Sequence, residues 1–355
     1  MKRAAVILDA AATPHGFDSY VQLVAPTWST SEVRGRVGHV DRQTPGTVTL
    51  TIDTNRNWAG FRAGQYVQLT VEIDGVRHTR CYSPAHAAGA GRTIELTVKA
   101  HPDGLVSNYL VGHARPGLLV GLSQAQGQFC LPEARPARIL LISGGSGITP
   151  VMSMLRTLAA EDHDQPVTFV HYCLTGRDLT YRQELAELSA RPNVRVVRVF
   201  TDEPGTGDLD GFASVEQLDA IDPEWRKAET YMCGPAPLMD SVERIFAAAG
   251  ISEQLHTEAF TLAQVVAEAG DVGGRLVFGR SATSVTSNGR PVLEQAEAAG
   301  LAPEHGCRMG ICHSCICPLT SGAVRDLLTG DVTTGPGQEI RICVSAPVGD
   351  VEIDL

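Results

Sequence analysis

Several things are missing from this chain, and each absence removes a class of function. No segment approaches the ~18 unbroken apolar residues that cross a bilayer as a helix. There is no excess of positive charge. The 29 Lys and Arg against 40 Asp and Glu leave −11 at pH 7, which argues against a general nucleic-acid binder. The 11 histidines never form His-x-x-His or His-Glu-x-x-His, and no glycine-rich turn carries the lysine of a phosphate-binding NTPase loop. Hydrolytic and kinase readings therefore have no support. There is no internal repeat and no low-complexity tract. The apolar run Ala4–Leu8 is cut by Asp9, too short for a signal-peptide core, so a cytoplasmic location is expected. What is left is an ordinary globular composition. The 355 residues, 43% hydrophobic and 19% charged, suffice for two or three domains.

Along the chain the pattern changes twice. Residues 1–33 have no clear period and read as an N-terminal extension packed on the next domain. Residues 34–133 carry short alternating strands, such as Gly46–Asp53, Tyr66–Ile73 and Thr93–Lys99, with the hairpin signal Asp74-Gly75 and one short helix at Leu105–Val111. Many such strands predict a closed antiparallel barrel. Residues 134–250 change to continuous apolar runs, Ile139–Ile142, Val167–Cys173 and Val194–Phe200, alternating with helical stretches. That alternation predicts a parallel α/β sheet. Residues 251–270 read as a linker, and 271–355 as a small third domain with a hairpin, a helix at Pro291–Ala299 and a closing strand at Gly349–Leu355. The barrel segment carries ten basic against seven acidic residues and the last segment six against ten, a complementarity that suits docking of one on the other.

Five of the nine cysteines fall in the last fifty residues. That bunching indicates a metal site rather than a secreted disulfide framework. Cys307-x4-Cys312-x2-Cys315 with a remote Cys343 is the plant-type [2Fe–2S] spacing: three thiolates on one tight loop and a fourth that closes the cage. Gly306 and Gly310 let the loop backbone come close to the inorganic sulfides. A tetrahedral zinc site is the alternative, though zinc favours paired short spacings. Cys317 reads as a buried bystander. The run His305 to Cys315 with Ile342-Cys343 resembles a plant-type ferredoxin domain over about the last 80 residues.

Two segments of the barrel resemble the flavin fingerprints of the ferredoxin–NADP reductase superfamily: Arg80-Cys81-Tyr82-Ser83, and Val98-Lys99 followed by Gly104-Leu105-Val106-Ser107. The resemblance implies that Arg80 neutralises a flavin phosphate, with Lys99 adding charge nearby. Tyr82 lies against the isoalloxazine and Ser83 hydrogen-bonds near N5. Gly104, Val106 and Ser107 begin a helix that offers N–H groups to the pyrophosphate. The Val-Ser-Asn-Tyr-Leu form favours FAD over FMN.

Ser143-Gly144-Gly145-Ser146-Gly147-Ile148-Thr149-Pro150 follows a buried strand and opens a helix. Thr149 is expected to cap that helix and Pro150 to fit its first turn. The turn departs from Gly-x-Gly-x-x-Gly but is similar to the superfamily's Gly-Gly-x-Gly-Ile-x-Pro, which holds a dinucleotide pyrophosphate. Cys233-Gly234-Pro235 matches the family turn that sits against the nicotinamide. Arg177 and Arg182 follow the second strand, where a 2′-phosphate favours NADPH; Asp178 beside them suits the ribose of NADH equally. Glu258 and Phe260 resemble the Glu-x-Phe that ends the nicotinamide domain, and they read equally as a linker anchor.

The expected architecture is multidomain, α/β and β: a flavin-binding antiparallel β-barrel, a parallel α/β nicotinamide domain and a β-grasp-like ferredoxin domain. The order resembles the phthalate dioxygenase reductase and phenylacetyl-CoA epoxidase reductase groups. With the N-terminal extension it most resembles reductases serving membrane fatty-acyl desaturases and alkane hydroxylases. The resemblance implies an NAD(P)H-dependent oxidoreductase that passes electrons singly to an oxygenase, desaturase or hydroxylase, without spanning the membrane itself. The candidate catalytic residues are Ser83, Cys233, Glu258 and Phe260. A reductase for a soluble Rieske ring-hydroxylating or phenylacetyl-CoA-type oxygenase, and a zinc-stapled flavoprotein with no electron-transfer output, stand as alternatives.

Overall fold

The computed structural model describes residues 17–89, 91–102, 104–260, 272–306, 310, 314–327 and 329–355. They divide into two compact units meeting at Ala259/Phe260.

The first unit opens with a short helix, α1 (Phe17–Gln22), and then a six-stranded antiparallel sheet. Its strands are β1 (Val33–Thr44), β2 (Thr47–Thr54), β3 (Val67–Ile73), β4 (Val76–Tyr82), β5 (Thr93–Lys99) and β6 (Leu119–Leu122), in the order β4-β3-β6-β1-β2-β5. The alternation seen in the sequence has a direct cause here. Val48, Leu50 and Ile52 on β2 and Ile94, Leu96 and Val98 on β5 point into one core and are fully buried. Each such side chain contributes about 1.5–3 kcal/mol. The helix α2 (Leu105–His113) packs on this core through Val106 and Leu110. The segment before β1 lies on the barrel. The side-chain amides of Asn55 and Asn57 donate to the carbonyls of Thr27, Ser29 and Glu32.

A parallel sheet follows, in the order β10-β9-β8-β7-β11-β12. It comprises β7 (Ile139–Gly144), β8 (Val167–Cys173), β9 (Val194–Phe200), β10 (Leu209–Asp210), β11 (Glu229–Cys233) and β12 (Leu255–Glu258). The crossovers include α3 (Ile148–Ala160), α4 (Arg182–Leu188), α5 (Val215–Ile221) and α6 (Ala236–Ala249). Strand order reverses around β7, so the carboxyl ends of β7 and β11 open a crevice where such sheets bind ligands. Part of the segment expected as a linker, 251–270, is a strand. Residues 255–258 are β12, the edge strand paired in parallel with β11.

The second unit is a mixed sheet, β14-β13-β18-β15-β16, with β17 on β15 and α7 (Val292–Ala298) packed over it. Its strands are β13 (Val272–Phe278), β14 (Thr283–Asn288), β15 (Ile316–Asp326), β16 (Val332–Thr334), β17 (Glu339–Arg341) and β18 (Ser345–Ile353). This is the expected β-grasp-like arrangement. The closing strand starts earlier than expected, at Ser345. The 11-residue β15 has no sequence signature, because Pro318 and Gly322 interrupt its alternation at a bulged register. Among the described residues no helix is long and apolar enough to cross a membrane.

Candidate functional site

Antiparallel pairing sets Arg80 opposite Leu69 and Tyr82 opposite Val67, and Tyr82 packs half-buried against the barrel core. Burial pushes the Tyr82 hydroxyl up to about 12, against the opposing charge of Arg80. Ser83 is 1% exposed and its Oγ has no hydrogen-bond partner. A buried, unsatisfied hydroxyl costs about 1–3 kcal/mol, which the polar edge of a bound group would relieve. That fits a flavin ring laid on Tyr82. Gly104 leads into α2, where Ser107 Oγ donates to the Gly104 carbonyl (3.1 Å) and accepts from His101 N–H (3.2 Å). Ser107 thus shapes the turn before α2. Val98 and Val106 have their side chains in the barrel core. Lys99 stands at the end of β5. It lines a 320 Å³ apolar cavity with Gly144, Gly145, Cys173 and Pro235, because the end of β5 runs toward the glycine turn.

That turn, Gly145–Gly147, is a single 3-10 turn running straight into α3. The helix therefore begins at Ile148. Thr149 is not its cap but lies in the first turn, its Oγ1 bonding the Ser146 carbonyl at 3.4 Å. Pro150 sits in that same first turn, where its missing N–H is harmless. Gly145 has φ +53, a conformation glycine takes without strain. A Cβ on Gly147 would lie 2.5 Å from the Cys233 carbonyl carbon and 2.8 Å from Gly234 N. The glycine turn and the Cys233-Gly234-Pro235 turn thus pack backbone against backbone.

Parallel register brings four polar side chains into one row at the strand ends. Glu258 is paired with Cys233, Cys233 with Ser143, and Ser143 with His171. Ser143 Oγ lies 2.9 Å from His171 Nδ1 and donates to the Val170 carbonyl at 3.2 Å. Burial pushes His171 down to about 3, aided by the charge of Lys99, so the ring is neutral. Burial raises the Cys233 thiol well above its ordinary range, and the Glu258 charge adds to this. Cys233 is therefore a small neutral thiol at the turn. Burial also raises Glu258 to about 8, and its Oε2 has no partner. Of this row the sequence reading named Cys233 and Glu258; Ser143 and His171 join it only through strand register.

Arg177 and Arg182 do not line the cavity beside Gly145. With Tyr181 and Arg42 they border a separate cleft of 670 Å³, and the Arg182 guanidinium donates to the Gly176 carbonyl. Phe260 is the first residue of the second unit.

In the second unit, the Cys315 and Cys343 sulfurs are buried and 3.1 Å apart, too long for the ~2.05 Å of a disulfide. Two converging sulfurs on the loop and on the strand-side segment fit the ligand set of a cluster. Cys307 and Cys312 lie outside the described residues. Gly310, between them in sequence, takes φ +74 and its carbonyl accepts from Arg341 Nη1 at 2.6 Å. Arg341, anchored also on Asp326, ties the cysteine loop to the chain two residues before Cys343. It carried no sequence signal. Cys317 Sγ turns to the Asp354 carbonyl at 3.2 Å, and burial raises its thiol to about 11.

Three family models match. They are an oxidoreductase FAD-binding domain over residues 43–130, an oxidoreductase NAD-binding domain over 141–244 and a 2Fe-2S iron-sulfur cluster binding domain over 277–348. The last of these favours iron–sulfur over zinc at the cysteine loop. An NADPH oxidoreductase of Mycobacterium tuberculosis is 39% identical over 350 residues, 97% of this chain and 90% of that protein. A glycine betaine monooxygenase reductase subunit of Pseudomonas aeruginosa is 30% identical over 83% of this chain and 87% of its own. The solved phthalate dioxygenase reductase, described as a modular structure for electron transfer from pyridine nucleotides to [2Fe–2S], has the same fold. It aligns at TM-score 0.63 and 23% identity over 91% of this chain and 97% of that one. With the barrel motif, the glycine turn and the paired cysteines in place, the chain belongs to the ferredoxin reductase superfamily, as an NAD(P)H-dependent oxidoreductase with FAD-binding, NAD-binding and C-terminal [2Fe–2S] domains.

Proposed function

We propose that this protein is the electron-donating reductase of an oxygenase system, using NADPH, and that its acceptor is a membrane fatty-acyl desaturase or alkane hydroxylase. The observation that carries the reductase reading is the row Glu258–Cys233–Ser143 beside a glycine turn in backbone contact with Gly234. When bound, FAD and the [2Fe–2S] cluster supply the conversion of a two-electron hydride into single electrons.

The protein's own part is binding and orientation. Arg80 and the start of α2 would hold the flavin phosphates, Tyr82 its ring and Ser83 Oγ its polar edge. The Gly145–Gly147 turn at the start of α3 would receive a dinucleotide pyrophosphate at the helix's N-terminal end. Cys233, kept neutral by burial, excludes water without offering a charge to the nicotinamide. Cys307, Cys312, Cys315 and Cys343 would hold the cluster. Arg177, exposed beside the adenosine end of the parallel sheet, and Arg182 favour a 2′-phosphate.

The membrane acceptor is supported by the N-terminal segment on the barrel. Leu23 and Val24 are 82% and 88% exposed there and Tyr20 is 45% exposed, an apolar patch suited to a membrane-embedded partner. A soluble oxygenase is the second reading. Relatives include the glycine betaine monooxygenase reductase component and a component of the 1,2-phenylacetyl-CoA epoxidase of Escherichia coli, the latter 28% identical over 81% of this chain. The test supplies purified protein and NADPH to membranes carrying a desaturase or an alkane hydroxylase and, separately, to soluble Rieske and epoxidase components. Product from the membranes alone supports the proposal, and product from the soluble components alone overturns the membrane assignment. Anaerobic bleaching of flavin and cluster absorption by NADH but not NADPH overturns the choice of nucleotide, and bleaching by neither overturns the reductase reading.

A further inference from the structure

The phosphate-turn helix is tied to the flavin strand by side chains that no cofactor motif includes. One face of α3 carries Ser153, Arg156 and Thr157, spaced i, i+3, i+4 as neighbours on a helix must be. All three hold the loop 84–88, which leaves the barrel directly after Arg80–Ser83. Ser153 Oγ donates to the His86 carbonyl at 2.7 Å. Arg156 Nη1 donates to the Ala85 carbonyl at 2.8 Å. Thr157 Oγ1 accepts from Ala88 N–H at 2.8 Å.

Arg156 is the centre of this contact. Its side chain is 14% exposed. Nη1 also reaches Glu95 on β5 at 2.5 Å, and the other edge of the guanidinium forks onto both oxygens of Glu184 on α4. The plane sits 4.8 Å from the centre of the Tyr181 ring. Tyr181 is itself held in a left-handed conformation, φ 57, and its hydroxyl joins Thr97, which joins Thr49 at 2.7 Å. One guanidinium thus spans a barrel strand, the loop after the flavin motif and two elements of the nucleotide half. A lysine cannot do this, because a single ammonium has no planar fork to serve two carboxylates and a carbonyl at once.

We infer that Arg156 is a positioning residue for hydride transfer: it latches α3, and with it the Gly145–Gly147 turn, to the loop behind Ser83, and so sets the distance between nicotinamide and flavin. This rests on the reductase reading. Positioning acts on the reacting distance, where an ångström of slack costs orders of magnitude in rate. It acts far less on nucleotide affinity, which the phosphate turn supplies.

The test compares full-length R156K, E95Q and wild type, all loaded with flavin and cluster. Anaerobic stopped-flow follows flavin bleaching at saturating NADPH and with NADPH deuterated at C4. The R156K rate is expected to fall roughly tenfold to a hundredfold, with a larger deuterium isotope effect and an NADP⁺ dissociation constant within about threefold of wild type. A second readout needs no turnover: hydrogen exchange at Ala88 N–H speeds up in R156K. E95Q, which keeps the acceptor and loses its charge, shows a smaller fall, and R156K/E95Q is no slower than R156K. A wild-type rate and isotope effect in R156K overturn the latch, as does a loss carried wholly by nucleotide affinity. If R156K does not fold, E95Q and S153A read the latch from its barrel and helix sides, and wild-type rates in both overturn it. Failure of wild type itself to bleach with NADPH and with NADH overturns the reductase reading instead.

Discussion

Gly147→Ala adds one methyl group at the point where the two cofactor turns of the nucleotide half touch. The new Cβ would stand 2.5 Å from the Cys233 carbonyl carbon and 2.8 Å from Gly234 N. Ordinary contact begins at 3.4 Å, so the overlap is more than half an ångström on two atoms. Both are backbone atoms at the end of a strand paired on each side, by β7 and β12, so no rotamer change can relieve it. Overpacking of this kind costs about 1–3 kcal/mol. In a unit of this size that lowers Tm by roughly 2–4 °C per kcal/mol. The larger effect is positional. The turn moves off Cys233, and the rate of flavin reduction by NADPH falls by at least about tenfold. Stopped-flow reduction, flavin and iron content and thermal melting are measured together. Gly250→Ala is the control. It lies at φ +73 after α6 with nothing within 4 Å, so it costs about 1–2 kcal/mol of backbone strain and leaves the reduction rate alone. A G147A protein with wild-type NADP⁺ affinity and reduction rate would show that the two turns do not position the nucleotide.

Cys343→Ser should abolish the cluster and acceptor reduction while flavin reduction by NAD(P)H persists. Cys317→Ala, whose thiol faces Asp354, should keep the cluster's iron, sulfide and visible absorption, and cluster loss there would move the ligand set. Ser83→Ala should retain flavin but slow its reduction, with a gain in the stability of flavin-free protein because a buried orphan hydroxyl is removed; a loss of that stability would mean Ser83 Oγ is satisfied within the fold. Burial holds Glu258 protonated in the folded chain up to about 8, whereas in the unfolded chain it ionises near its ordinary value. Its burial therefore costs nothing below that ordinary value, and the cost grows as pH rises toward about 8. Glu258→Gln should flatten the fall in Tm of flavin-free protein between about pH 5 and 8, and an unchanged slope would place the carboxylate in water.

Local chemistry was written plainly in the chain. Cys307-x4-Cys312-x2-Cys315 needs only a loop, Gly145 and Gly147 need only a turn, and the alternation of Val48, Leu50 and Ile52 needs only one buried sheet face. Such signals survive in sequence because the residues that make them are neighbours along the backbone. They sufficed for three kinds of domain and for the order of the cofactors. The closing strand β18, the bulged β15 and the edge strand β12 were blurred, since a strand without clean alternation is recognised by what it pairs with. Tertiary structure alone decided the rest. Parallel register set Ser143 and His171 beside Cys233, the course of β5 turned Lys99 toward the glycine turn, and the approach of Gly147 to Cys233 excluded a side chain. Arg156, Glu95, Glu184 and Ala85 are far apart in sequence, and Arg341 meets Gly310 from 31 residues away. No periodicity encodes such contacts, because they form only when separate elements, each specified locally, pack against one another.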